Sequence, residues 1–170
     1  MHPLATDPDL SALRDRPAFK IPVSVLVVVY TAELEVLLLE RADRPGWWQS
    51  VTGSMDPQDE NSARTAWREL GEETGIVPGS NGVARAALVD WDQRDVYPIL
   101  PAWRQRYAPG VHHNVEHVFG VCVPRGIAVT VAPAEHLQYR WLAWQEAAGA
   151  CFSHTNAQAI RALPLRAGAV

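Results

Sequence analysis

The sequence predicts an α/β fold, an α/β/α sandwich with helices on both sides of a mixed central sheet. The run Val23–Tyr30 (VSVLVVVY) is apolar and β-branched almost throughout, which is typical of a strand buried on both faces. Residues 61–74 predict an amphipathic helix that packs on a core, because apolar residues recur there at helical spacing. These residues are Ala63, Ala66, Trp67 and Leu70. A second helix is predicted near the C-terminus, over 156–163.

The other elements follow from short apolar runs and from the turn residues between them. Strands are expected at 36–40, 50–53, 84–91, 115–123 and 129, with a strand end at 139–142. Turns or loops are expected at 43–46 and 78–82. Residues 96–109 contain three prolines, so an ordered loop is expected there.

Composition indicates one globular domain of ordinary character. The chain has 170 residues, 48% of them hydrophobic and 20% charged, with a formal net charge of −4, which argues against a nucleic-acid binder. Residues 1–18 are predicted to be a flexible arm and residues 19–170 the folded domain. No apolar run is long enough to cross a membrane, and Cys122 and Cys151 lack metal-ligand spacing. We therefore expect a cytoplasmic protein with a small-molecule partner, and the oligomeric state stays open.

An acidic helix face is the most informative feature of the chain. Glu69, Glu72 and Glu73 are spaced so that their carboxylates lie on one side of the predicted helix. Such a cluster is often only a solvated surface. Here the same helix carries an apolar stripe and ends at Gly75, which indicates that the acidic face is held in a defined orientation. Oxygen ligands of this kind suit Mg²⁺ or Mn²⁺, which also bind substrate phosphates.

This segment resembles the signature of the Nudix hydrolase family: G, five residues, E, seven residues, then R-E-U-x-E-E-x-G-U, with U aliphatic. Every defined position from Arg68 to Ile76 is filled, and Glu60 lies at the expected distance before Arg68. Six residues, not five, separate Gly53 from Glu60, which we interpret as an insertion in the loop before the helix. The resemblance implies the Nudix sandwich fold and hydrolysis of a pyrophosphate linkage with Mg²⁺, or alternatively Mn²⁺.

Segments outside the signature resemble the branch of the family that acts on dihydroneopterin triphosphate in folate biosynthesis. They are residues 20–28, 48–54, 106–111, 135–137 and 156–160. The resemblance implies Mg²⁺-dependent hydrolysis to dihydroneopterin monophosphate and pyrophosphate, by attack of water on phosphorus. Two alternatives stay open: a pyrophosphohydrolase of nucleoside triphosphates such as dATP, and a non-catalytic Nudix-like nucleotide-binding module.

Chemistry and the resemblance together indicate the site residues. Glu69 and Glu73 are expected to bind the metal, with Glu72 as a further ligand or outer partner and the Gly53 carbonyl as a backbone ligand. Arg68 is expected to orient Glu69 through a bidentate pair. Glu116 is expected to bind metal or to activate water.

The resemblance also implies a set of substrate-binding residues. They are Lys20, Arg41, Thr52, Tyr97, Pro98, Ile99, Leu100 and Ser153. Lys20 and Arg41 have the charge to meet a triphosphate, although both are equally consistent with ordinary surface cations. Tyr97 and Trp48 are candidates to stack on a flat pterin ring, although aromatic residues beside strands more often belong to the core.

Overall fold

A computed structural model describes residues 19–59 and 61–168 of the chain. The predicted arm over residues 1–18 and the signature residue Glu60 lie outside the described residues. The expectations for these two parts of the chain therefore stay predictions.

A seven-stranded mixed sheet forms the centre of the described domain. Its strands are β1 (Val23–Tyr30), β2 (Glu35–Arg41), β3 (Trp48–Gln49), β4 (Val51–Ser54), β5 (Leu88–Pro98), β6 (His113–Cys122) and β7 (His136–Ala143). The main order is β3-β2-β1-β6-β5, with β4 paired to β1 and β7 paired to β2. β1 and β6 run parallel and the other pairs run antiparallel.

Strand β1 is the centre of this arrangement. Along one edge it pairs with β6 over its whole length, from Val23↔Val115 to Tyr30↔Cys122. Its other edge is shared, because its first half pairs with β4 and Tyr30 pairs with Val36 of β2. β1 therefore joins the glycine-containing strand β4 to the strand that carries Glu116.

Helices cover both faces of the sheet, which confirms the predicted sandwich. They are α1 (Ser62–Thr74), α2 (Trp144–Ala150), α3 (His154–Arg161) and α4 (Leu163–Ala167). Alternate residues of β1 enter two separate cores: Val25 and Val27 pack in the cluster that contains Leu70 of α1, whereas Leu26 packs in the cluster that contains Ile160 of α3. The continuous apolar sequence of β1 is therefore explained by burial on both sides.

Helix α1 begins and ends where capping chemistry predicts. The Asn61 side chain accepts a hydrogen bond from the backbone N of Arg64, and Gly75 adopts φ 73° and donates to the Gly71 carbonyl. This left-handed conformation strains any residue with a Cβ, so glycine is the favoured residue at this helix end.

Four predicted boundaries or elements are wrong, and one helix was not predicted. The predicted strand at 84–91 starts later and continues through Pro98, so residues 96–98 are strand and not loop, and 101–106 is a 3₁₀ helix. Val129 lies outside any strand, and its neighbour Thr130 instead donates to the Thr74 carbonyl. Helix α2 was not predicted, and the C-terminal helix is divided into α3 and α4.

Among the described residues, no helix is both long enough and apolar enough to cross a membrane.

Candidate active site

A cavity of about 750 Å³ opens between the end of α1 and the edge of the sheet. Its lining includes residues of α1, of β1, β4, β5, β6 and β7, and of the start of α3. The predicted residues that line it are Lys20, Arg41, Thr52, Gly53, Glu69, Glu72, Glu73, Tyr97, Pro98, Ile99, Leu100, Glu116 and Ser153. Folding therefore brings together side chains that are far apart in the sequence.

The three glutamates of α1 have different environments within this cavity. Glu69 and Glu73 are buried, whereas Glu72 is exposed. Glu69 lies directly against Gly53, where an added Cβ would be 1.8 Å from the Glu69 Cδ. Glu73 accepts a hydrogen bond from the backbone N of Thr52, at 3.3 Å. Strand β4 thus contacts both buried carboxyl groups beside the cavity.

Burial changes the acidity of these groups. Loss of solvent raises the pKa of Glu69 to about 7, and the neighbouring Arg68 opposes this shift. Burial also raises the pKa of Glu73 above its ordinary value. Two carboxyl groups that are buried close together can both be charged only if a positive charge lies nearby to stabilise them.

Arg68 supplies part of that charge, although in a different way from the one predicted. Its Nη1 donates to Glu69 at 2.7 Å and to Glu72 at 3.1 Å. The bidentate partner is Asp59, which receives Nη2 at 2.9 Å and Nε at 3.3 Å. Arg68 therefore ties the loop before α1 to the acidic face and contacts Glu69 through one nitrogen only.

Glu116 lines the cavity from β6, where it pairs with Ser24 of β1, and it is 5% exposed. Its carboxylate accepts hydrogen bonds from the Tyr97 hydroxyl at 3.1 Å and from the Thr155 hydroxyl at 3.4 Å. Burial raises the pKa of Glu116 to about 7, and these two bonds oppose the shift. Asn114 donates to the Tyr97 oxygen at 3.1 Å and to the Ser24 hydroxyl at 2.6 Å. Glu116 is thus held in one orientation by a polar network, which the sequence analysis did not predict.

A further group of metal-ligating atoms lies at the start of β7. Ligand atoms of Glu73, Glu135 and His136 all lie within 4.8 Å of one another. In the sequence, residues 135–137 are notable only because they resemble the corresponding segment of the family branch, and nothing in their spacing connects them to α1. The docking of β7 against β2 brings them to the cavity.

The donor set of the cavity fits a hard divalent cation. Glu69, Glu73 and Glu116 are buried, and burial raises the pKa of each, so their charged forms lack compensation from solvent. A cation bound beside any of these groups would stabilise its charged form.

Two of the predicted phosphate-binding cations already have partners. Arg41 makes a bidentate pair with Asp43, with both N–O distances 2.8 Å, and it lies over the Trp103 ring at 5.3 Å. Lys20 donates weakly to the Ser54 hydroxyl at 3.4 Å and is exposed. Lys20 therefore keeps more freedom to meet an incoming anion than Arg41 does.

Of the two aromatic residues expected to stack on the pterin ring, Tyr97 lines the cavity and Trp48 does not. Tyr97 lines the cavity, but its hydroxyl is occupied by Glu116 and Asn114, and Trp48 lies outside the lining, beneath Arg140. Trp103, Tyr107 and Phe152 also line the cavity, and Phe152 stacks on Trp47 with ring centroids 4.4 Å apart. The sequence shows these aromatic residues but not which of them reach the cavity.

The fold and this acidic cavity together define a class of protein. Residues 20–163 match the NUDIX domain, so the chain belongs to the NUDIX family, as the signature predicted. Divalent-metal use is general in this family of hydrolases, and the acidic groups described above are compatible with it.

The chain is also similar to particular members of the family over most of its length. The chain is 37% identical over 150 residues to dihydroneopterin triphosphate diphosphatase of Escherichia coli K12, covering 88% of this chain and 96% of that one. It is 38% identical over 144 residues to the Haemophilus influenzae protein of the same name, covering 84% and 87%. The structure of the E. coli dihydroneopterin triphosphate pyrophosphohydrolase superposes with a TM-score of 0.78 at 36% identity, covering 88% of this chain and 99% of that one. The predicted resemblance to this branch is confirmed.

Proposed function

We propose that the protein hydrolyses dihydroneopterin triphosphate to dihydroneopterin monophosphate and pyrophosphate, with Mg²⁺ as the cofactor and Mn²⁺ as a substitute. One observation carries the proposal: a single cavity is lined by three buried carboxyl groups and by aromatic rings, within a chain that is 37% identical to the E. coli enzyme of that name over 96% of its length. A pterin triphosphate needs both features, because one end is a polyanion and the other a flat ring.

The carboxylates are assigned to the phosphate end. Three carboxylates repel a triphosphate unless a cation lies between them. We assign Glu69 and Glu73 to the cation, with Glu72, the Gly53 carbonyl and Glu135 as further oxygen donors. When bound, the cation neutralises phosphate charge and lowers the pKa of a coordinated water. Lys20 provides an additional positive charge for the phosphates.

Glu116 is assigned as the general base. It takes a proton from the attacking water while a new oxygen–phosphorus bond forms and the bond from phosphorus to the bridging oxygen breaks. Pyrophosphate carries away the electrons of that bond. Tyr97 and Thr155 keep the carboxylate in place through their hydroxyl groups. The pKa of Glu116, about 7, suits a base that acts near neutral pH.

Trp103 and Phe152 are assigned to the pterin ring. Both line the cavity, and stacking on a flat ring is favourable for aromatic side chains. Arg41 lies over Trp103 and is paired with Asp43, so we assign it to holding this aromatic wall in place as well as to the substrate.

The test is a comparison of kcat/KM for dihydroneopterin triphosphate, dATP, GTP and ADP-ribose, with phosphate analysis in the presence and absence of added pyrophosphatase. We expect the pterin substrate to have the highest kcat/KM and to release pyrophosphate. A preference for dATP or GTP contradicts the proposed substrate. Orthophosphate released without added pyrophosphatase contradicts the proposed bond cleavage.

A further inference from the structure

His136 is a buried imidazole without a hydrogen-bond partner among the described residues. Only 3% of the residue is exposed, and neither Nδ1 nor Nε2 makes a hydrogen bond. Buried polar atoms in folded proteins are nearly always satisfied, so an imidazole with two unsatisfied nitrogens indicates a missing partner.

The surroundings of His136 indicate the nature of that partner. Its Nε2 is 3.4 Å from a carboxylate oxygen of Glu73, and a ligand atom of Glu135 lies within 4.8 Å of both residues. All three residues line the cavity. A water molecule would satisfy the nitrogen but would leave the charge of the buried Glu73 uncompensated, whereas a divalent cation satisfies Glu73 and His136 and can also bind the exposed Glu135.

We propose that His136 supplies a nitrogen ligand to a divalent cation that Glu73 and Glu135 also bind. This proposal rests on the cation dependence of the proposed function and adds a ligand that the acidic signature does not contain. Imidazole binds first-row transition metals better than it binds Mg²⁺, which is suited to oxygen ligands. We therefore expect this site to prefer Mn²⁺ over Mg²⁺ more strongly than a site with oxygen ligands alone would.

The experiment uses the substrate-free protein loaded with Mn²⁺, so its outcome does not depend on which substrate is hydrolysed. Pulsed electron paramagnetic resonance detects ¹⁴N coupled to the bound Mn²⁺ ion. We expect ¹⁴N modulation in the wild-type protein, its loss in His136→Gln, and its retention in the matched control His154→Gln, because His154 is an exposed residue of the same cavity. We also expect His136→Gln to weaken Mn²⁺ binding about tenfold or more and Mg²⁺ binding clearly less.

Absence of ¹⁴N modulation in the wild-type protein overturns the proposal, as does its persistence in His136→Gln. Equal weakening of Mn²⁺ and Mg²⁺ binding also overturns it, because general damage to the cavity affects both ions. If His136→Gln does not fold, His136→Asn replaces it. A second test needs no substitution: wild-type protein labelled with ¹⁵N-histidine must lose the ¹⁴N signal. Failure of the pyrophosphate assay with an intact ¹⁴N result contradicts the proposed function and not the ligand.

Discussion

Glu116 combines burial, two hydroxyl donors and a pKa of about 7, and its proposed role as the base can be tested on its own. We predict that Glu116→Gln lowers kcat by roughly 10²–10⁴-fold, because the amide cannot take the proton. KM should change little, since the loss is in the transition state. Steady-state kinetics with the pterin substrate measures both.

Glu146→Gln is the matched control, because Glu146 is exposed on α2 and away from the cavity. It should keep wild-type kcat. The wild-type rate should also fall as pH drops below about 7, because a base with the pKa of Glu116 becomes protonated there. A Glu116→Gln protein that keeps more than about a third of wild-type kcat would exclude the assigned role.

Asp59 gives a prediction about stability and pH. Hydrogen bonds from Arg68 hold the pKa of Asp59 at about 2, against an ordinary value of 3.8. A carboxyl group whose pKa is lower in the folded state than in the unfolded state stabilises the fold at pH values above its unfolded-state pKa. This stabilisation is lost as the pH falls through the folded-state pKa. We therefore predict that Asp59→Asn destabilises the protein most at neutral pH and progressively less in acid.

Urea unfolding of both proteins, from pH 7 down to the lowest pH at which both still fold, measures this difference. A difference in unfolding free energy that stays constant with pH would mean that Asp59 acts through packing and not through its charge.

At the level of elements, the contact between β4 and α1 makes Gly53 a sensitive position. A Cβ at Gly53 would be 2.1 Å from the Glu69 Oε1, so the Glu69 side chain would have to move. We predict that Gly53→Ala lowers kcat by roughly 10²-fold, because small displacements of reacting groups have large effects on rate. Stability should fall by about 1–3 kcal/mol, as in overpacked cores.

Gly149→Ala is the matched control, because nothing lies within 4 Å of a Cβ at this helical position. It should leave kcat unchanged and raise stability by about 0.4–1 kcal/mol. Thermal unfolding and kinetics on both variants make the comparison. Normal turnover in Gly53→Ala would show that the position of Glu69 is not critical.

The elements also show what local sequence determines. Helix α1 was predicted within one residue, because its cap, its apolar stripe and its terminal glycine all agree. The end of β5 was missed because Pro98 suggested a loop. β5 lies at the edge of the sheet, however, and a strand there has one side without a neighbour, where proline is tolerated. The short helix α2 was missed because seven residues carry too little periodic signal.

The candidate site likewise contains groups that local sequence predicts and groups that only the fold brings together. The carboxyl groups of α1 were predicted because they are neighbours on one helix. The grouping of Glu135 and His136 with Glu73 was not predicted, because it depends on the register of β7 against β2. The polar network around Glu116 likewise joins three strands, and no spacing in the sequence encodes it.

For the molecule as a whole, we predict that EDTA abolishes turnover and that Mg²⁺ or Mn²⁺ restores it, because the clustered carboxylates repel the phosphates without a cation. Mg²⁺ should also raise the melting temperature, since a ligand that binds only the folded state stabilises it. Calorimetry with and without Mg²⁺, at equal ionic strength set with NaCl, measures this. Full activity after exhaustive chelation would contradict the metal assignment.

The pairing of β1 with β6 has a consequence for how the protein matures. Val23 pairs with Val115, so the ribosome completes the first strand long before it makes that strand's parallel partner. The acidic helix is also made early, whereas the lining residues Glu116 and His136 come from the later half of the chain. A nascent or truncated chain can therefore carry the whole family signature and still lack a cavity. The proposed activity therefore requires the C-terminal third of the chain, which supplies Glu116, His136 and Ser153 to the cavity.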